Sequence, residues 1–146
     1  MIVLDTNVLS EMMKTTPHDS VRNWLNQQDG DTLYITSVAL AEILFGIAAL
    51  PGGKRKNMLD EAARGLRTLF EGRILSFDSI AAQYYAELAV QAKVAGKGFP
   101  VPDGYIAAIA AAHRFIVASR DTAPFQAVGV RVINPWEMKA ENMHAG

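Results

Sequence analysis

Apolar residues recur along this chain in two periods. Ile2-Val-Leu4 is an uninterrupted apolar run that stops at Asp5. Leu33-Tyr-Ile-Thr36, Arg73-Ile-Leu-Ser-Phe77, Phe115-Ile-Val-Ala118 and Val130-Arg-Val-Ile133 are similarly short and rich in β-branched or aromatic residues, so all five read as strands. Between them the spacing changes to three and four. Val8, Leu9, Met12 and Met13 predict a helix that stops before Thr15-Thr-Pro17, and Asp19-Ser20 opens a second through Val21, Trp24 and Leu25 to Gln28. Ser37 is a good N-cap for a helix through Val38, Leu40, Ile43, Leu44, Ile47 and Leu50. That helix is apolar round most of its circumference, is expected to be largely buried, and ends at Pro51-Gly-Gly53. Lys54 to Glu71 has one wet face. Asp78 or Ser79 caps a helix through Tyr84, Tyr85, Leu88 and Val90 to Lys93, and Gly96-Lys-Gly98 breaks the chain before Phe99-Pro-Val-Pro102. Pro102 and Asp103 suit the first turn of the next helix, which continues from Ile106 to Ala112 on alanines that admit a close neighbour, either the sheet or a second subunit.

Strands alternating with helices predict one α/β domain over residues 1–138, a mainly parallel sheet with helices on both faces. Residues 139–146 have little apolar content and are expected to fray. Half of the 146 residues are hydrophobic, enough for a core without disulfides or a structural metal. No apolar run is long enough to span a bilayer, and Met1-Ile-Val-Leu lacks a basic leader, so a cytoplasmic protein is expected. The absence of cysteine excludes thiol nucleophiles, disulfides and zinc–thiolate sites. His18, His113 and His144 show no ligand-pair spacing and are assigned no role. A net charge of −1 argues against coating nucleic acid by bulk charge. Contact with a polyanion must then come from local basic side chains, such as Arg64, Arg67, Lys97, Arg114 and Arg120, or from bound cations. Lys54-Arg-Lys56 reads as a solvated face.

Four acids stand where a plain core would not put them. Asp5 ends the first strand, at the sheet edge where open α/β folds bind ligands, although Asp5 before Thr6-Asn7 reads equally as a helix cap. Glu42 lies among Ala41, Ile43 and Leu44 in the helix expected to be buried, where an ionised carboxylate needs a partner or an exit to solvent. Asp103 opens the alanine-rich helix and Asp121 follows the Phe115 strand. Brought together, two such charges about 4 Å apart repel by roughly 4 kcal/mol at an effective dielectric near 20. Several could not stay ionised without a cation, and an all-oxygen set suits Mg²⁺ or Mn²⁺. Such sites serve phosphodiester hydrolysis, one ion activating a water and a second steadying the leaving oxygen.

Asp5-Thr-Asn7, Ala41-Glu42-Ile-Leu-Phe-Gly46, Pro102-Asp103-Gly-Tyr-Ile-Ala-Ala108, and Ser119-Arg-Asp121 before Val128-Gly-Val-Arg-Val-Ile-Asn-Pro-Trp136 resemble, in order, the PIN-domain family. The resemblance is greatest to VapC-type toxins of bacterial toxin–antitoxin pairs, the FitB-like branch included, and it covers almost the whole chain. It implies a PIN-like three-layer fold and a Mg²⁺- or Mn²⁺-dependent endoribonuclease. Asp5, Glu42 and Asp103 match the family's acidic, metal-holding cluster, and Asp121 falls on a fourth position that varies among relatives. Thr6 and Ser119 match polar positions that support the metal or its waters, and Arg120 meets either a phosphate or a nearby acid. A homodimer is implied, with a cognate antitoxin that blocks the site and carries the complex to promoter DNA. Two alternatives stand beside this reading. One is another Mg²⁺ phosphohydrolase or phosphoacceptor, which wants a second aspartate beside Asp5 or a clamping lysine that Asp5-Thr-Asn7 does not offer. The other is a non-catalytic PIN-like module of a repressor complex.

Overall fold

A computed structural model describes residues 1–138, so the frayed tail expected over 139–146 lies outside the described residues. At its centre is β1 (Ile2–Leu4), three residues all buried, as an apolar run covered on both faces must be. On one side β1 pairs with β2 (Leu33–Thr36), which pairs with β3 (Ile74–Leu75). On the other it pairs with β4 (Ile116–Ala118), which pairs with β5 (Val132–Ile133). All four pairings are parallel and the order is β3-β2-β1-β4-β5. Strand order reverses between β1 and β4, so the crevice at a switch point opens where these two central strands end.

Among the described residues seven α-helices connect and cover the strands: α1 (Thr6–Met12), α2 (Asp19–Asn26), α3 (Ser37–Ala48), α4 (Lys54–Leu69), α5 (Ser79–Val94), α6 (Val101–His113) and α7 (Ala123–Gln126). The fold is the three-layer α/β arrangement expected. Asp78 caps α5 through the Ala81 N–H, and Pro102 and Asp103 stand in the first turn of α6 as their chemistry favours. His18, given no role from sequence, caps α2 by accepting the Ser20 N–H at its Nδ1. The third strand is shorter than Arg73–Phe77 because Phe77 leaves the ladder for an aromatic cluster, its ring 4.5 Å from Tyr105.

The distribution of burial differs from expectation. In α3 only Ala39, Ile43 and Ile47 are buried, one stripe at four-residue spacing, while Phe45 stays 75% exposed. The most buried helix is instead α6, where Gly104 and every residue from Ile106 to Ala110 are covered by the chain itself, with α5, α3, α7 and β4 as neighbours. The cap of α3 is also one residue earlier than expected: Thr36, fully buried, accepts the Ala39 N–H at 3.0 Å. Of the supposedly solvated basic cluster, Lys56 is half-buried and its Nζ donates to the Ala48 and Leu50 carbonyls, closing the end of α3.

Candidate metal centre at the sheet switch point

Hydrogen bonding between the strands continues one residue past β1 and β4, and this fixes the first two groups of the site. Asp5 N–H donates to Ala118 O at 2.9 Å, and Ser119 N–H donates to Ile133 O at 2.9 Å. Both side chains thus start from backbone held at the rim of the sheet. Asp5 is only 3% exposed and both its oxygens are engaged: Oδ1 accepts the Thr6 N–H at 2.8 Å, and Oδ2 accepts the Ser119 hydroxyl at 2.7 Å. Asp5 is therefore a helix cap and a member of the acid group at once. Each carboxylate oxygen keeps a second lone pair for another partner.

The Ser119 hydroxyl is used to capacity. With its single proton given to Asp5, it accepts the Asp121 N–H at 3.0 Å and Asn7 Nδ2 at 3.2 Å. Thr6 Oγ1 donates to Glu42 Oε1 at 2.7 Å and links the first turn of α1 to α3. Glu42 is exposed, contrary to its expected burial, because it lies off the narrow buried stripe of its helix. Asp103 is half-buried and Asp121 exposed. Asn7, given no role of its own in the sequence reading, donates to Ser119 Oγ and accepts the Arg120 N–H. The available signal was its position two residues after a strand-end aspartate, in the turn that faces the same crevice.

The electrostatics tie the four acids together. Burial raises the Asp5 carboxyl above its ordinary value, opposed by the Ser119 and Thr6 hydrogen bonds, with Glu42 and Asp121 pushing it further up. Asp103 is pushed up to about 6, first by burial and then by Asp5, Asp121 and Glu42. Among the described residues, no lysine or arginine pairs with any of the four. The buried Glu11 on α1 is the contrast, since Lys14 sits 3.1 Å from it. Nor are three acidic or histidine side chains, among the described residues, already gathered closely enough to grip one ion. Like charges with nothing between them do not close on a point by themselves. By donor chemistry and uncompensated charge, an all-oxygen group of this kind fits a hard dication. Beside Glu42 and Thr6 a cleft of about 350 Å³ runs between α1, α3 and α4 past Met13, Ile47, Arg55 and Leu59.

Comparison with known proteins agrees with this architecture. A family model described as the PIN domain matches residues 2–130. The chain is 49% identical over 138 residues to the VapC ribonuclease Y4jK of Sinorhizobium fredii, covering 94% of this chain and 99% of that protein. It is 44% identical over 137 residues to toxin FitB of Neisseria gonorrhoeae, covering 93% and 99%. The crystal structure of FitAcB from Neisseria gonorrhoeae superposes with a TM-score of 0.89 at 43% identity, over 94% of this chain and 100% of that one. Family model, relatives and fold agree along nearly the full length, and the chain belongs to the PIN-domain family, on its VapC and FitB branch.

Proposed function

We propose that this chain is the toxin of a toxin–antitoxin pair and acts as a Mg²⁺- or Mn²⁺-dependent endoribonuclease. The observation that carries the reading is the group of four acids at the switch point, with Asp103 raised to about 6 by burial and by the other three and no basic side chain pairing with any of them among the described residues. Asp5, Glu42, Asp103 and Asp121 would hold the ion. When bound, the ion supplies charge neutralisation and the Lewis acidity that makes a water a nucleophile toward a phosphodiester. Ser119 and Thr6 fix the rotamers of Asp5 and Glu42 through their hydroxyls, and Asn7 braces Ser119. Burial of Asp5 excludes water from its carboxylate and strengthens its attraction for a cation.

The relatives named above are a ribonuclease and a toxin, and solved neighbours include FitAB bound to a DNA fragment at a TM-score of 0.90 and 43% identity. They support an antitoxin partner that carries the complex to promoter DNA. The cleft that starts at Glu42 adjoins a second, of about 710 Å³, bounded by Met13, Lys54, Met58 and Ala62, and this groove suits an apolar antitoxin segment closing the site. A homodimer is part of the same reading. No described helix is long and apolar enough to cross a membrane.

The test is cleavage of RNA by the purified chain with Mn²⁺, with and without EDTA. Asp103→Asn and Asp5→Asn are each expected to lower the rate by about 100-fold or more, as loss of a group held only for the reacting state does. One observation favours the non-catalytic module, namely that three acids are not already in grip of a single point among the described residues. Mn²⁺ binding measured by calorimetry separates the two: absence of both binding and cleavage leaves the module. A phosphoacceptor role for Asp5 is disfavoured by its burial and two hydrogen bonds, and acid quenching would trap the acyl phosphate if one formed.

A further inference from the structure

Two sequence motifs, Ser119-Arg-Asp121 and Asn134-Pro-Trp136, meet beyond the adjacent strands β4 and β5, on the same edge as Asp5. The guanidinium carbon of Arg120 stands 5.3 Å from the centre of the Trp136 ring. Its backbone is moored on both sides: the Arg120 N–H donates to Asn7 Oδ1 at 3.2 Å, and its carbonyl accepts Asn134 Nδ2 at 3.4 Å. Asn134 Oδ1 also accepts the Trp136 N–H at 2.9 Å, so one side chain sets both the arginine and the indole. Asn7 in turn donates to the hydroxyl that serves Asp5. The cation is thereby held in register with the deepest acid.

An exposed arginine ordinarily pairs with a nearby carboxylate or waves in solvent. Arg120 is exposed, yet among the described residues it forms no ion pair, even with Asp121 next to it in the chain. Placed over the indole as a cation on an aromatic ring, the guanidinium keeps N–H donors for an oxyanion, in the fork geometry that matches phosphate. A strand entering an acidic crevice also needs a fixed positive charge at the rim to offset repulsion.

We infer that Arg120, seated on Trp136, binds a phosphate of the RNA strand beside the phosphate presented to the acids. This rests on the ribonuclease reading above, and the test keeps the two apart. Steady-state cleavage with Mn²⁺ is run alongside anisotropy of a fluorescein-labelled single-stranded RNA binding to the full chain, without metal, across a salt series. Arg120→Ala is expected to raise KM and the RNA dissociation constant about 10-fold while kcat stays within about 2-fold. The slope of log affinity on log salt should fall by about 0.7, the value of one phosphate contact on a single strand. Arg120→Lys should restore the slope and only part of the affinity, and Trp136→Ala should weaken binding with the slope retained.

Unchanged KM, affinity and salt slope in Arg120→Ala overturn the inference, as does a collapse of kcat at constant KM, which would mark a disturbed Ser119–Asp5 bond instead. A wild-type chain that cleaves no RNA, but binds it with the Arg120-dependent slope, upholds the phosphate contact and removes the ribonuclease reading. Should Arg120→Ala not fold, Arg120→Lys decides: an affinity equal to wild type overturns the forked contact.

Discussion

Gly104 follows Asp103 directly, and a β-carbon at that position would stand 3.0 Å from ring carbons of both Phe99 and Tyr85. The two rings are themselves stacked with centroids 5.7 Å apart, so an added methyl has to displace a packed pair. Gly104→Ala is expected to destabilise the fold by about 1–3 kcal/mol in urea unfolding, the range for overpacking. Asp103 itself carries a pH signature. Its folded pKa of about 6 exceeds the ordinary 3.8, so the folded state keeps a proton that the unfolded chain releases. The stability due to that proton is complete below about 3.8, declines as pH rises, and is lost once pH passes about 6. Asp5, raised in the same direction, adds to the decline. Urea midpoints of the metal-free protein across this window should fall with pH, less steeply in Asp103→Asn, and Mn²⁺ should raise them at the upper end. Equal slopes in the variant and the parent would remove Asp103 as the cause.

At the scale of the element, the end of α4 is tied to the start of the sheet by one side chain. The Arg73 guanidinium donates to the carbonyls of Leu69, Gly30 and Leu33 and lies 4.9 Å from the Phe70 ring centre. Arg73→Met keeps much of the packing and removes all three bonds, with an expected loss of about 3 kcal/mol by thermal or urea unfolding. The element pattern was legible where chemistry is local: Asp78 capping α5, Pro102 and Asp103 opening α6, and the apolar run of β1 ending on Asp5. It was less legible where neighbours decide. Thr36 and Ser37 are adjacent hydroxyl residues equally able to cap, and only the inward turn of Thr36 selects between them. Four residues of α7 are too few for a period to show. The apolar coat of α3 announces surface to be kept dry without saying whether its own chain or another covers it. Likewise the four acids could be named from sequence, while the Asn7–Ser119–Asp5 bonds, spanning more than a hundred positions of chain, required the β1–β4 pairing to be known.

For the whole molecule, the order β3-β2-β1-β4-β5 places both central strands at the crevice, so the site rests on the most enclosed part of the sheet. The surface carries large apolar groups elsewhere, Phe45, Val90 and Val94 among them. Under the homodimer reading, Phe45→Glu should lower the sedimentation mass toward that of one chain while changing stability by less than about 0.5 kcal/mol, as an exposed position allows. A further consequence follows from the mutual repulsion at the crevice. Under the ribonuclease reading, an amide in place of Asp103 relieves repulsion and disables the chemistry in a single step, so inactivation here comes with a sturdier fold. In bacteria forced to express the chain without its antagonist, missense survivors should therefore be enriched in Asp103→Asn and accumulate it as abundant, well-folded protein, which sequencing of colonies and blotting of lysates would reveal.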